Sequence, residues 1–162
     1  MPETNQPVSI AHLLDLVRDE YAAWQAVVTD AGPERLNIPL SPGGWSIKDH
    51  IAHIAWFEHE MVRLIETRSL ASGSPLWYRS TDERNTIIYE ENRARPVEEV
   101  LREAEEIHAR LVALFETLDD QDLFDPDRFS AMPADWQPWI VFAGNTYDHY
   151  RDHGESVIRL LI

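Results

Sequence analysis

His149 and His153 stand four residues apart near the carboxyl end of the sequence. On a helix that spacing puts two side chains about 40° apart at 100° per residue, so both imidazoles converge on one point. Two such groups are half of a metal site. A divalent transition ion that also performs chemistry takes three protein ligands and keeps one position open. The third ligand must come from another helix, and His50 and His53 lie in a helically patterned segment that offers one. On the wheel His50 falls inside the stripe of Ile47, Ile51, Ile54, Met61 and Ile65, whereas His53 lies at its edge, about 40° from Phe57. Periodicity slightly favours His50, and spacing leaves both open. Three neutral imidazoles would leave the ion's double charge unquenched, acidifying a bound water towards a pKa of about 7. The same open position suits the thiolate of a small thiol cofactor.

The other histidines, His12, His59 and His108, are read as structural, since a lone imidazole on an amphipathic helix more often makes one hydrogen bond than binds a ligand. Of these, His108 beside Leu111 is expected nearest the core. Asn145, one turn before His149, and Tyr150 are the polar side chains expected to line the pocket. Asp49, Asp148 and Asp152 suit either of two roles, accepting from the imidazoles or standing in solvent. Trp24 and Trp56 read as core and Trp45 as a staple where the second helix begins. Trp77, Trp136 and Trp139 read as an apolar lid in preference to a ligand mouth.

These residues need rigid elements to hold them, and the sequence supplies helices. Ile10, Leu14, Val17, Tyr21, Trp24 and Val28 predict a first helix over 9–31, stopped by Gly32 and Pro33. Ser46 followed by Asp49 resembles a capping box and opens a second helix that fades near Arg68. Ser80 and Glu83 repeat the pattern for a short helix through Asn92, which Pro96 interrupts. A regular stripe then runs from Val97 to Leu118. The loop Asp119 to Pro138 carries Phe124, Phe129, Met132 and Trp136 and is expected to lie over the bundle, before a last helix from about Trp139. The fold class is therefore all-α: an antiparallel four-helix bundle of one domain over 1–162, with an additional short helix and a long loop before the last helix.

Composition narrows the function classes. The 162 residues include 14 Lys or Arg and 29 Asp or Glu, a formal charge of −15. Phosphate backbones and anionic membranes both demand positive faces, so neither nucleic acid nor membrane is expected as a partner. The acidic clusters at 98–106 and 119–127 read as a solvated face and a loop. Zero Cys excludes thiol nucleophiles, thiolate ligands and redox pairs, and fits a cytoplasmic location. Met1 to Val8 is polar and carries Glu3, so no leader is expected there. Pro42-Gly43-Gly44 lacks both the preceding strand and the Lys-Ser/Thr end of a phosphate loop, and no Ser occupies a nucleophile-elbow setting.

The segment Gly44-Trp45-Ser46-Ile47-Lys48-Asp49-His50-Ile51-Ala52-His53-Ile54 resembles the start of helix 2 in the DinB-like superfamily of four-helix bundles. Asn92-Arg93-Ala94-Arg95-Pro96, the Asp122-Leu123 loop and Asn145-Thr146-Tyr147-Asp148-His149-Tyr150-Arg151-Asp152-His153 look like its ClbS/DfsB-type branch. The resemblance covers about 9 to 160, and its two His-bearing segments are the specific part. In the common pattern the helix 2 ligand lies eight residues after the tryptophan and the last helix carries His-x-x-x-His. That implies His53, His149 and His153 as metal ligands, with His50 lining the pocket and nickel or zinc as the ion. DinB-like proteins include thiol S-transferases and hydrolases, and the ClbS-like branch includes self-protection by opening a strained ring of a reactive natural product. The expectation is a metal-dependent enzyme acting on a small electrophilic molecule, or, as the alternative, a non-catalytic bundle that binds or sequesters one. Superfamily members often pair side by side, so a homodimer is expected.

Overall fold

A computed structural model describes residues 5–162. The expectation of a leaderless start over Met1 to Val8 therefore lies in part outside the described residues. Six α-helices occur among them: α1 (Ile10–Ala31), α2 (Ile47–Thr67), α3 (Thr81–Asn92), α4 (Val97–Phe115), α5 (Pro138–Asn145) and α6 (Tyr147–Leu161). No strand occurs among the described residues beyond a single parallel bridge between Ser69 and Ser130. No helix among them is long and apolar enough to cross a membrane.

The first three helices begin where side chains satisfy their orphan amides. Ser9 accepts from the His12 amide at 3.1 Å, and α1 ends at Gly32, whose φ of 84° suits a residue without Cβ. Ser46 and Asp49 form a full capping box at the start of α2, as do Ser80 and Glu83 for α3. Pro96 precedes α4 and contributes no side-chain cap. The predicted single last helix is instead two. The Thr146 hydroxyl donates back to the Phe142 carbonyl at 2.6 Å and its amide reaches only to Ala143, so the chain kinks there before α6 restarts.

The helices form an all-α bundle in which α2 packs against α4 and α1 against α6, with α3 lying on α2. Leu13 and Val17 from α1, Ile47 from α2, Leu111 and Phe115 from α4, Phe142 from α5 and Val157 from α6 are wholly buried in one core. Each contributes about 1.5–3 kcal/mol by leaving water. The loop before α5 does lie over the bundle, burying Leu123, Phe129 and Met132 while Trp136 stays half exposed.

Polar ties fix the helix carrying His50 and His53. The buried Lys48 ammonium donates to the carbonyls of Arg93 at 2.7 Å and Arg95 at 2.9 Å, locking the start of α2 to the turn between α3 and α4. Midway along α2, the Glu58 carboxylate is buried and accepts from the Tyr150 hydroxyl at 2.8 Å. The His108 ring nitrogen lies 2.7 Å from the same oxygen, and its ring stacks on Tyr21 with centroids 3.4 Å apart. At the far end Arg68 forks onto Asp122 at 2.6 and 3.3 Å, joining α2 to the loop that follows α4.

Candidate metal centre

The capped first turns of α2 and the restarted α6 face one another, and their histidines meet in the gap. His53 and His149 bring Nε2 atoms to 3.1 Å, and His149 and His153 to 3.0 Å. One nitrogen from each of the three lies within 4.8 Å of the others. Two zinc-bound nitrogens at a tetrahedral centre are separated by about 3.3 Å, from bond lengths of about 2.05 Å. The cluster therefore has nearly the size that an ion requires.

The chemistry of the donors fits an ion better than it fits protons. His149 Nε2 faces two other ring nitrogens, and a neutral ring nitrogen is either a donor or an acceptor. Hydrogen bonding alone leaves two groups of the same kind competing at that atom. A cation accepts all three lone pairs at once. Burial pushes the histidines' basicity down: His53 to about 2, His149 to about 3 and His153 to about 4. For His53, His149 and His153 add to that burial effect, followed by His50 and then Arg84. All three rings are thus neutral at pH 7, the state in which imidazole donates to a metal.

His50 is placed behind the cluster. Its Nδ1 lies 2.7 Å from Nδ1 of His153, on the opposite side of that ring from Nε2. Burial, then His153, lowers its pKa to about 3. With the three Nε2 lone pairs given to an ion, His153 would carry its proton on Nδ1 and donate it to His50, which would orient the ring. The wheel preference for His50 does not extend to this packing, because residues three apart are separated by only about 60° and both reach α6. His53 Nδ1 and His149 Nδ1 are buried without partners, so these two rings are held by packing. Trp45 packs edge-on to His50 at 5.2 Å and tilted to His53 at 5.1 Å; Phe57 lies 4.7 Å from His53 and 4.8 Å from His149.

The other expected pocket residues divide. Asn145 lines a cleft of about 440 Å³ with Met61, Leu64, Leu70, Trp77 and Trp136. Trp77 joins that cleft to the histidines through Phe57, 5.5 Å away. Tyr150 does not line it: one residue after His149 it points the other way into the core, where its hydroxyl is committed to Glu58. The three aspartates do not support the imidazoles. Asp49 caps α2, Asp148 accepts from Asn5 and Arg151, and Asp152 is exposed. His12 stays at the start of α1, near the Val8 amide, and His59 is exposed.

Sequence reasoning missed Arg84, which lies over Trp77 and Phe57, and the walls made by Trp45 and Phe57. Its wheel singled out Phe57 only as a reference direction. Arg84 carries no sequence signal, since an arginine in the first turns of an acidic helix is ordinary.

Two solved structures share the fold. One is an uncharacterised protein from Escherichia coli UTI89, 16% identical, with a TM-score of 0.77 over 98% of this chain and 95% of that one. The other is the colibactin self-resistance protein ClbS in complex with a double-stranded DNA, 14% identical, with a TM-score of 0.76 over 96% of each chain. No curated protein matches the chain.

The DNA complex corrects two expectations. Net charge does not exclude nucleic acid for this fold, since a bundle of the same shape sits on double-stranded DNA. Charge summed over a chain says little about one face of it. The same finding overturns the expected enzyme acting on a small electrophilic molecule and its alternative, a small-molecule-binding bundle: a protein sharing this fold is a self-resistance protein in complex with double-stranded DNA. The family assignment rests on sequence as well as shape. The model of the DinB superfamily matches residues 14–156, from within α1 to within α6, and the chain belongs to that superfamily, with the ClbS-like fold.

Proposed function

We propose that the chain is a metal-binding protein that holds one divalent transition ion, nickel or zinc, on His53, His149 and His153, and that it serves a protective role with double-stranded DNA within reach. The observation that carries the metal reading is the convergence of three neutral Nε2 atoms from two helices. An ion held by these three histidines would supply Lewis acidity to a further donor such as a small thiol. The residues of the chain do the positioning: His50 fixes the ring of His153, Trp45 and Phe57 wall the cluster, and the kink at Thr146 sets where α6 begins. The protective role and the DNA come from the likeness in fold to the self-resistance protein. The cytoplasm and a paired state of two bundles belong to the same reading, supported by the lack of cysteine and by the habit of the superfamily.

The test is metal content of untagged protein, measured by elemental analysis beside the His149→Ala variant. Close to one ion per chain, lost in the variant, is the expected result. Stoichiometry near zero, with a melting temperature unchanged by chelator, refutes the metal reading. Fluorescence anisotropy with a short labelled duplex at 50 and 200 mM salt tests the DNA reading: affinity that falls with salt supports it, and no binding at either concentration refutes it. Sedimentation velocity reads the paired state.

A further inference from the structure

Most arginines of the chain are ion-paired, and those without a carboxylate within 4.0 Å among the described residues are Arg35, Arg79, Arg84, Arg102 and Arg159. Four of these are exposed, where water serves them; Arg84 is half-buried. Its guanidinium lies 4.7 Å from the centroid of Trp77 and 6.0 Å from that of Phe57. Among the described residues the guanidinium makes only long hydrogen bonds, to the Arg79 carbonyl at 3.5 Å and the Thr81 hydroxyl at 3.4 Å, and its Nε is buried with no partner. The nearby Glu60 carboxylate is already engaged by the Ser74 amide, the Trp77 indole and Arg63. A charged donor that is half-buried and unmatched costs free energy, and its planar fork suits an oxyanion with two acceptor atoms.

Arg84 also stands on the histidine side of α3. Phe57, beneath it, touches the rings of both His53 and His149. Three neutral ligands would leave an ion's charge uncompensated, so an ion held by the histidines would share Phe57 as a neighbour with the unmatched guanidinium. We propose that Arg84 is the anion-binding residue of this site, taking an oxyanionic group, carboxylate or phosphate, of whatever molecule is bound beside the histidines. The stack on Trp77 and Phe57 holds the guanidinium plane and leaves its edge to the ligand.

The inference rests on the metal reading for its second positive charge, and the experiment separates the two. Cobalt-loaded protein is titrated with inorganic phosphate and with acetate, following the visible cobalt spectrum, in wild type, Arg84→Met and Arg84→Lys. Arg84→Met keeps the stem on the aromatic rings and removes the charge; Arg84→Lys keeps charge without the fork. The expected result is anion binding at least tenfold weaker in Arg84→Met and intermediate in Arg84→Lys, at unchanged cobalt stoichiometry. The tighter of the two anions names the group. Equal affinity in wild type and Arg84→Met, or no binding of either anion by wild type, overturns the proposal. If the protein takes up no cobalt, the metal reading fails by itself. The indole resonance of Trp77 in metal-free protein, assigned with Trp77→Phe, then reports the anion directly. A shift in wild type that Arg84→Met abolishes upholds the role of Arg84, and a resonance that neither anion moves overturns it.

Discussion

Lowering the pH of metal-free protein from 7.5 to 5.5 loads protons onto histidines that the fold keeps neutral. His50, His53, His149 and His153 have pKa values of about 3, 2, 3 and 4 in the fold, against 6.5 for an ordinary imidazole. The sign follows from the direction: a depressed histidine contributes stability in full above pH 6.5 and loses it as pH falls towards the folded value. At pH 5.5 the unfolded chain is one unit below its ordinary pKa while the folded cluster stays unprotonated. Each histidine then gives up about 1.4 kcal/mol, and the four together about 5–6 kcal/mol. A domain of this size has about 5–15 kcal/mol in all. A ring that swings out to water escapes the loss, so the figure is an upper bound; His50 and His53, packed against Trp45, have the least freedom to do so.

The assay is thermal unfolding in chelator at pH 7.5, 6.5 and 5.5. A fall in melting temperature of about 10–20 °C is expected, most of it below pH 6.5, since 1 kcal/mol moves a domain of this length by about 2–4 °C. Ordinary carboxylates titrate below this window. Excess zinc postpones the fall, because the ion binds the folded state alone and competes with protons for the same nitrogens. A melting temperature in chelator that stays within about 2 °C across the range refutes the reasoning, as it means that the buried cluster carries no titration linkage.

Three further substitutions test the supports of the site. His50→Phe removes the acceptor behind His153 and should weaken metal binding by about 10–100-fold in a competition with a coloured chelator; unchanged affinity excludes the orienting role. Tyr150→Phe leaves buried Glu58 one donor short and should cost about 1–3 kcal/mol by urea unfolding, without touching metal stoichiometry. Lys48→Met deprives the Arg93 and Arg95 carbonyls of their shared donor, with a loss of about 1–3 kcal/mol in the same assay.

The sequence made the scaffold legible because stripes, caps and stops are local signals. The boxes at Ser46 and Ser80 and the stop at Gly32 lie at the ends where they were expected. The kink at Thr146 was hidden for the opposite reason: apolar periodicity continues across it, and only a hydroxyl turned back to Phe142 breaks the ladder. Glu58 had a signal that went unused. The stripe Ile51, Ile54, Met61, Ile65 skips one core position, and Glu58 fills it, so a carboxylate was due inside the bundle with partners from other helices. Those partners, His108 and Tyr150, were separately read as a structural histidine near the core and a pocket residue. Nothing local ties three residues from α2, α4 and α6 into one network.

Charge misled for a similar reason. A sum of −15 is a property of the whole chain, whereas binding is decided by the few groups facing a partner and by what already neutralises them. Arg18, Arg68, Arg95, Arg110, Arg128 and Arg151 are each matched to carboxylates, so many of the positive charges are internally spent. What distinguishes the histidine side of the bundle is the reverse condition: four neutral rings, two aromatic walls and an arginine without a counter-charge. An acidic exterior and an anion-seeking interior are compatible, because water and salt screen the guanidinium from distant carboxylates far more than from a ligand a few ångströms away. An anionic group has therefore a place to bind on a protein whose total charge repels it.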